Sequence, residues 1–380
     1  MELPQFARRL VAPPLFALAA SLAALAAPAG VAAQQAPGGS ILFTQVHYGP
    51  LGQDDPAGPD ATRLSRVKAS GGHVTPLTSL VHHVFYNGAR WSPNGRAIVY
   101  ERETWASRST RSQIHRIDRQ GGSHQRLTRG VSRHDNPVWG PGPWVAFVEG
   151  GWGVDQCLAL VRPNGDNQHI LFCPPQSAGL STPQWSPNGR QLYVEAYYET
   201  TGGGLDKPAL SDLYRVNINT GHATLVWRLK SGGGESYASL GELSPDGSRG
   251  IYHYDDGREL LINYRTGKSL VIPGSSPRFS PDGRKIAFHR KVDTPDFRDF
   301  GAIYVMCADG TDVRRITNTI VPDDFYSVAD WSADGSQLLL NRKRNTDQGQ
   351  SYTIHIIDLK TQRISYVATG TAGKGAWSQP

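Results

Sequence analysis

Three sets of residues in this 380-residue chain have the types that chemistry needs. His82 and His83 are adjacent, and His134 precedes Asp135; imidazole nitrogens and carboxylates are the usual metal ligands and proton carriers. No spacing such as H-x-x-x-H sets them on one element, so their chemistry depends on whether distant segments converge. Gly234-Glu235-Ser236-Tyr237-Ala238 has the outline of a nucleophile elbow. The strand before it and the helix after it that such an elbow requires are both missing, and it reads as a loop following Gly232-Gly233. Of the three cysteines, Cys157 and Cys173 flank the Pro163-Asn164-Gly165 turn on neighbouring strands of a hairpin. A disulfide and a pair of buried apolar side chains both remain open, because a one-residue shift of register turns the two to opposite faces. Cys307 is left over.

The elements that must position these residues repeat. ARWSPNGRAIVY at 89–100 returns as PQWSPNGRQLYV at 183–194, GELSPDGSRGIY at 241–252, PRFSPDGRKIAF at 277–288 and ADWSADGSQLLL at 329–340; PVWGPGPWVAFV at 137–148 is a looser copy. In each, Pro presets the first corner of a turn and Gly accepts positive φ, so a hairpin is expected. The runs that follow, such as Ile286-Ala287-Phe288, are apolar at consecutive positions. Such strands are buried on both faces. Trp91, Trp139, Trp185, Leu243, Phe279, Trp331 and Trp377 recur at intervals of 36 to 58 residues. That period, with about four short strands per unit, predicts an all-β seven-bladed β-propeller, or a six-bladed one if the Pro137 unit is misread. The first unit, from residue 41, lacks its opening strand, and Ala376-Trp377-Ser378 repeats an opening and stops. The first blade is therefore expected to be closed by a C-terminal strand, which removes an open sheet edge.

Units of the form W-S-P-D/N-G-R, an aliphatic strand, I-Y/H-x-hydrophobic, G-G or D-G, then R-L/I-T resemble the WD40-like repeats of TolB and of prolyl oligopeptidase propellers. The resemblance covers nearly all of residues 34–380 and implies the fold. Counterparts of TolB's N-terminal α/β domain and of the peptidases' hydrolase domain are not read in these residues, so neither the Tol-Pal role nor the peptidase triad carries over. Some propeller lyases acting on pectin fragments hold a metal with several histidines near the channel mouth, which implies an alternative reading for His82, His83 and His134 with Asp135.

Residues 1–33 read as a signal peptide: Arg8-Arg9, an Ala/Leu-rich run, and Val31-Ala32-Ala33 as the cleavage site. A retained anchor is the rival, weakened by Pro13 and Pro14. Residues 34–380 then form one propeller domain, periplasmic or secreted and not inserted in the membrane. Cleavage removes Glu2, Arg8 and Arg9 and takes the net charge from +6 to +5. This small excess has no basic stripe, so no nucleic-acid partner is expected; Arg342-Lys343-Arg344 reads as a solvated loop.

The turns joining first to second and third to fourth strands are tight, whereas those on the other face, including 102–112, 197–211, 292–301 and 342–350, are long and carry aromatics and charges. A rigid scaffold with elaborated loops on one side is a common binding surface. The expectation is an exported, monomeric, non-catalytic, TolB-like module with no cofactor. It would bind a protein, peptide or other polymer, envelope-associated in the TolB reading, at a channel mouth formed by His83, His134, Asp135, Tyr237, Asp324 and Tyr326. The alternative is a metal-dependent oligogalacturonate-type lyase, or a hydrolase, with a divalent cation.

Overall fold

In the computed structural model, residues 39–48, 59–106, 109–151, 155–198, 210–230, 238–254, 256–292, 300–317, 324–346, 349–372 and 376–378 are described. Residues 1–38, and with them the signal-peptide reading, lie outside these. Every regular element among the described residues is a strand, and the strands form seven small antiparallel sheets. The fold is a seven-bladed β-propeller. The Pro137 unit is a full blade, Arg133–Trp139, Val145–Gly150, Cys157–Val161 and His169–Phe172. Counting from the N-terminus, it is blade 3.

The repeated turn builds each hairpin by spending its own polar groups. In blade 2 the Gly95 N–H donates to the Ser92 carbonyl at 2.8 Å, the Ala97 N–H to Ser92 Oγ at 2.9 Å and the Arg96 N–H to Asn94 Oδ1 at 3.1 Å. Gly95 has φ of +62°, where a side chain would be strained. Ser280 with Asp282 and Ser332 with Asp334 repeat the pattern. The Ser280 hydroxyl holds the Asp282 carboxyl below its ordinary range. Strands two and three of each blade are sandwiched between neighbouring sheets, which is why Ile286, Ala287 and Phe288 are all fully buried.

The end of each inner strand fastens one blade to the next. Trp91 Nε1 donates to the Ala376 carbonyl at 3.1 Å, Trp185 Nε1 to Val138 at 3.2 Å and Trp331 Nε1 to Arg278 at 3.1 Å, each in the preceding blade. A buried indole keeps its N–H partnered this way. Blade 1, with strands Ser40–Tyr48, Pro59–Lys68 and Thr75–Pro76, takes its inner strand from the C-terminal segment. Ile41 pairs with Trp377 and Thr44 with Thr371.

Two segments read as loops are strand. Ala97–Ala106 and Ser109–Asp118 stay paired out to Ala106 and Ser109, and Arg342-Lys343-Arg344 lies within Gln337–Thr346, opposite Tyr352 and Phe325 at its centre. The loop-side arms of these hairpins lie beyond the apolar core, with Glu103 and Ser112 buried and Arg342, Lys343 and Arg344 half-buried. They therefore carry polar residues and give no apolar signal, although the backbone ladder continues.

Cys157 and Cys173 are joined by a disulfide across the hairpin of blade 3, and Cys307 is free and partly buried.

Candidate functional site

The residue before each motif aromatic occupies one register of the inner strands: Arg90, Val138, Gln184, Glu242, Arg278, Asp330 and Ala376. Inner strands have no neighbour on the channel side, so their outward N–H groups need other acceptors. Three of these side chains supply them across the blade seam. Gln184 Oε1 accepts from the Leu243 N–H at 3.1 Å, Glu242 Oε2 from Phe279 at 3.3 Å and Asp330 Oδ2 from Trp377 at 3.2 Å. Arg278 Nη1 is 4.0 Å from Glu242 Oε2. Burial draws the Arg90 guanidinium below its ordinary value, against the charge of Asp330. The belt surrounds a cavity of about 600 Å³ with Trp139, Trp185, Trp331, Phe279 and Tyr193 in its wall. It is open toward the tight turns, where Ser244-Pro245 and Ser280-Pro281 line it. A volume of several hundred Å³ with few converging polar groups is typical of ligand sites.

At the other end of the inner strands, the seam between blades 2 and 3 holds an ionic cluster. Arg133 Nη1 is 3.0 Å from Glu103 Oε1, its Nε and Nη2 each donate to Asp135 at 3.1 Å, and Glu101 Oε1 lies 4.0 Å away. Three carboxyl groups share one guanidinium in a buried place, so one is forced toward its neutral form. Glu101 is pushed up to about 7, by burial first and by Asp135 second. Glu101 is the tenth residue after Trp91, and the same position after Trp139 and Trp185 is Glu149 and Glu195. Glu195 is fully buried, accepts from the Leu240 N–H in the next blade at 2.7 Å, and is raised by burial.

The residues expected at the mouth do not form one group. Asp135 belongs to the Arg133 cluster. His134 is completely buried inside blade 3, edge-on to Phe147 with its centroid 5.3 Å away and Nε2 3.5 Å from Glu149. Burial pushes it down to about 4. It turns inward because neighbours on a strand point to opposite faces, so His134 and Asp135 cannot share a site. His83 is exposed just ahead of the inner strand Val84–Trp91, with φ of +57°. Tyr326 is half-buried beneath the Arg342 guanidinium, 6.0 Å from its ring centroid. The strand Asp324–Trp331 begins with Asp324, whose side chain, like all of Tyr237, lies outside the described residues. Sequence reading passed over the belt and the Glu101 position, although both stand at fixed offsets from the motif aromatic.

No family model matches this sequence, and no curated protein matches it. Solved structures do. An oligogalacturonate lyase in complex with manganese is 16% identical, with 87% of this chain and 86% of that one covered at a TM-score of 0.57. A prolyl endopeptidase is 13% identical at a TM-score of 0.56, with 82% of this chain covered but 46% of the peptidase, so this chain spans about half its length. TolB from Acinetobacter baumannii is 12% identical, with 90% and 83% covered at a TM-score of 0.44. What is shared is the fold. A second TolB, a putative one from Agrobacterium tumefaciens, is also among the structural neighbours.

In this propeller the buried Glu101 makes stability depend on pH. Its folded value, about 7, lies above the ordinary 4.5. Its contribution is therefore complete below about pH 4.5 and is lost as pH rises through 7. His115 and His134, both pushed down to about 4 from 6.5, act oppositely and lose stability as pH falls from 6.5 toward 4. The informative quantity is thus the difference between wild type and Glu101→Gln. Urea unfolding across pH 4.5 to 7.5 should show the wild type falling behind the variant by up to about 3 kcal/mol. Parallel curves would remove Glu101 from this role.

Proposed function

We propose that this propeller is a non-catalytic binding scaffold whose channel takes an extended segment of a protein or peptide partner, or the end of another polymer. One observation supports it above others: inner strands of five blades bring Arg90, Gln184, Glu242, Arg278 and Asp330 to one register around an aromatic-walled cavity of about 600 Å³. Two guanidinium groups and two carboxylates offer donors and acceptors with no net charge, and indole faces beside them suit a polypeptide or a glycan. Among the described residues the cavity wall holds no histidine, cysteine or lysine. Its serines Ser244 and Ser280 each donate to the aspartate of their own turn, at 2.6 Å. Among the described residues of the wall, no serine or cysteine is paired with a histidine or lysine base. The partner would enter from the tight-turn side, where the cavity is open, and His83, Asp135 and Tyr326, joined by Tyr237 and Asp324, would meet the part of it that reaches the loop-side end of the channel. With residues 1–33 read as an export signal, that partner belongs to the cell envelope or lies outside it.

Capture of partners from envelope extract tests this with folded variants. Arg90→Gln and Arg278→Gln should each weaken capture by about 1 to 3 kcal/mol, as residues central to an interface do. Asp309→Asn, in an outer tight turn that does not line the cavity, should leave capture unchanged. Loss of the partner in Asp135→Asn and Tyr326→Ala alone moves the site to the loop face. Depolymerisation of an anionic polysaccharide by the purified protein replaces the binding module with an enzyme.

A further inference from the structure

Asp60, His82 and His83 take no part in the cavity or the Arg133 cluster. Asp60 stands near the start of the strand Pro59–Lys68 in blade 1, and the histidines lie on the link to blade 2, at the loop end of its inner strand. One ligand atom from each falls within 4.8 Å of the other two, the one such trio of His, Cys, Asp or Glu among the described residues. His82 Nδ1 is 2.6 Å from Asp60 Oδ1, and the two imidazole centroids are 3.7 Å apart.

The backbone holds this trio together. The His83 N–H donates to the Asp60 carbonyl at 2.9 Å, and the Trp105 N–H donates to the His83 carbonyl at 3.0 Å. His83 is thereby kept at φ of +57°, a left-handed conformation that is unfavourable for a residue with a Cβ. Both histidines are exposed, His82 with 66% of its side chain accessible. Neither contributes to a core, so packing does not account for two rings and a carboxylate brought to one point. Two imidazole nitrogens with one carboxylate oxygen are the donors preferred by borderline divalent transition metals, zinc above all. Magnesium and calcium select oxygen alone.

We propose that Asp60, His82 and His83 bind one zinc ion, or a similar divalent transition metal, on the loop-side rim between blades 1 and 2. Three protein ligands leave a fourth position for water or for an oxygen of a bound molecule. Trp105, 46% exposed, is tied to His83 through the backbone, and its ring lies against Phe85 at 4.7 Å between centroids. The site lies apart from the channel cavity and is independent of what the cavity binds.

The test is zinc titration by calorimetry on the full chain, stripped with chelator, in a non-coordinating buffer and without a polyhistidine tag. The expected result is one zinc per chain, with affinity reduced at least about tenfold in each of His82→Ala, His83→Asn and Asp60→Asn. Asn tolerates the left-handed backbone at 83, and 82 is exposed, so at least these two variants keep the fold. His222→Ala, at an exposed position elsewhere, should bind as the wild type does. Absence of stoichiometric binding, wild-type affinity in all three variants, or equal loss in His222→Ala overturns the site.

Discussion

Deleting residues 376–380 should destabilise the propeller by about 3 to 5 kcal/mol, the range for removing a buried tryptophan, and leave it prone to associate through blade 1. Trp377 is 7% exposed and packs with Ile41, Phe43 and Val67. Its segment also supplies backbone partners on both sides. The Leu42 N–H donates to the Ala376 carbonyl at 2.8 Å, the Ser378 N–H to Ser40 at 2.8 Å, and the Ser40 N–H to Ser378 Oγ at 2.8 Å. Trp91 of blade 2 and Asp330 of blade 7 each bond to the segment as well. Its loss opens the ring at the only seam where chain continuity cannot hold neighbouring blades, and exposes the edge of Ser40–Tyr48, a template for pairing with another chain. Urea unfolding and sedimentation of the truncated protein check both effects. An unchanged midpoint would mean that the ring does not depend on this strand.

Arg133→Met should cost about as much at neutral pH, about 3 to 5 kcal/mol, because it removes one partner from a buried ionic cluster while the others stay behind. Arg133 is 11% exposed, Glu101 8%, Glu103 9% and Asp135 16%, so the carboxylates left without it have little water to turn to. Methionine keeps most of the volume, so the loss reports charge rather than a cavity. Adding Glu103→Gln to Arg133→Met should recover part of the loss, and a double-mutant cycle on unfolding free energies measures it. Simple additivity of the two substitutions would show that Glu103 and Arg133 act independently.

How far these features were legible depends on the distance over which their causes act. The tight turns were readable because Ser-Pro-Asn-Gly carries its own geometry: Ser92, Asn94 and Gly95 bond to one another within four residues. Their recurrence, with consecutive apolar runs between, pointed to seven blades, with six left open by the irregular Pro137 unit until the structure showed it to be a full blade, and the orphan Ala376-Trp377-Ser378 indicated how the ring closes, since an inner strand missing from the first unit is supplied by the C-terminal segment. The amino-acid order therefore decided the propeller architecture by itself.

Convergence of side chains was decided only by the tertiary structure. Each described inner strand of blades 2 and 3 shifts register midway, between Asn87 and Arg90 and between Asp135 and Val138. One such shift reverses which residues face the channel and which face the next blade. His134 and Asp135, which precede the shift in their strand, already face opposite ways by alternation, His134 sealed against Phe147 and Asp135 reaching Arg133. The groups that meet are also far apart in the chain and near only across a seam. Glu103 finds Arg133 from the next blade, and Asp60 finds His82 across the link between blades 1 and 2. Pattern along one strand carries no information about the strand packed against it, so local turn chemistry could specify the scaffold while the sites on it awaited the closing of the ring.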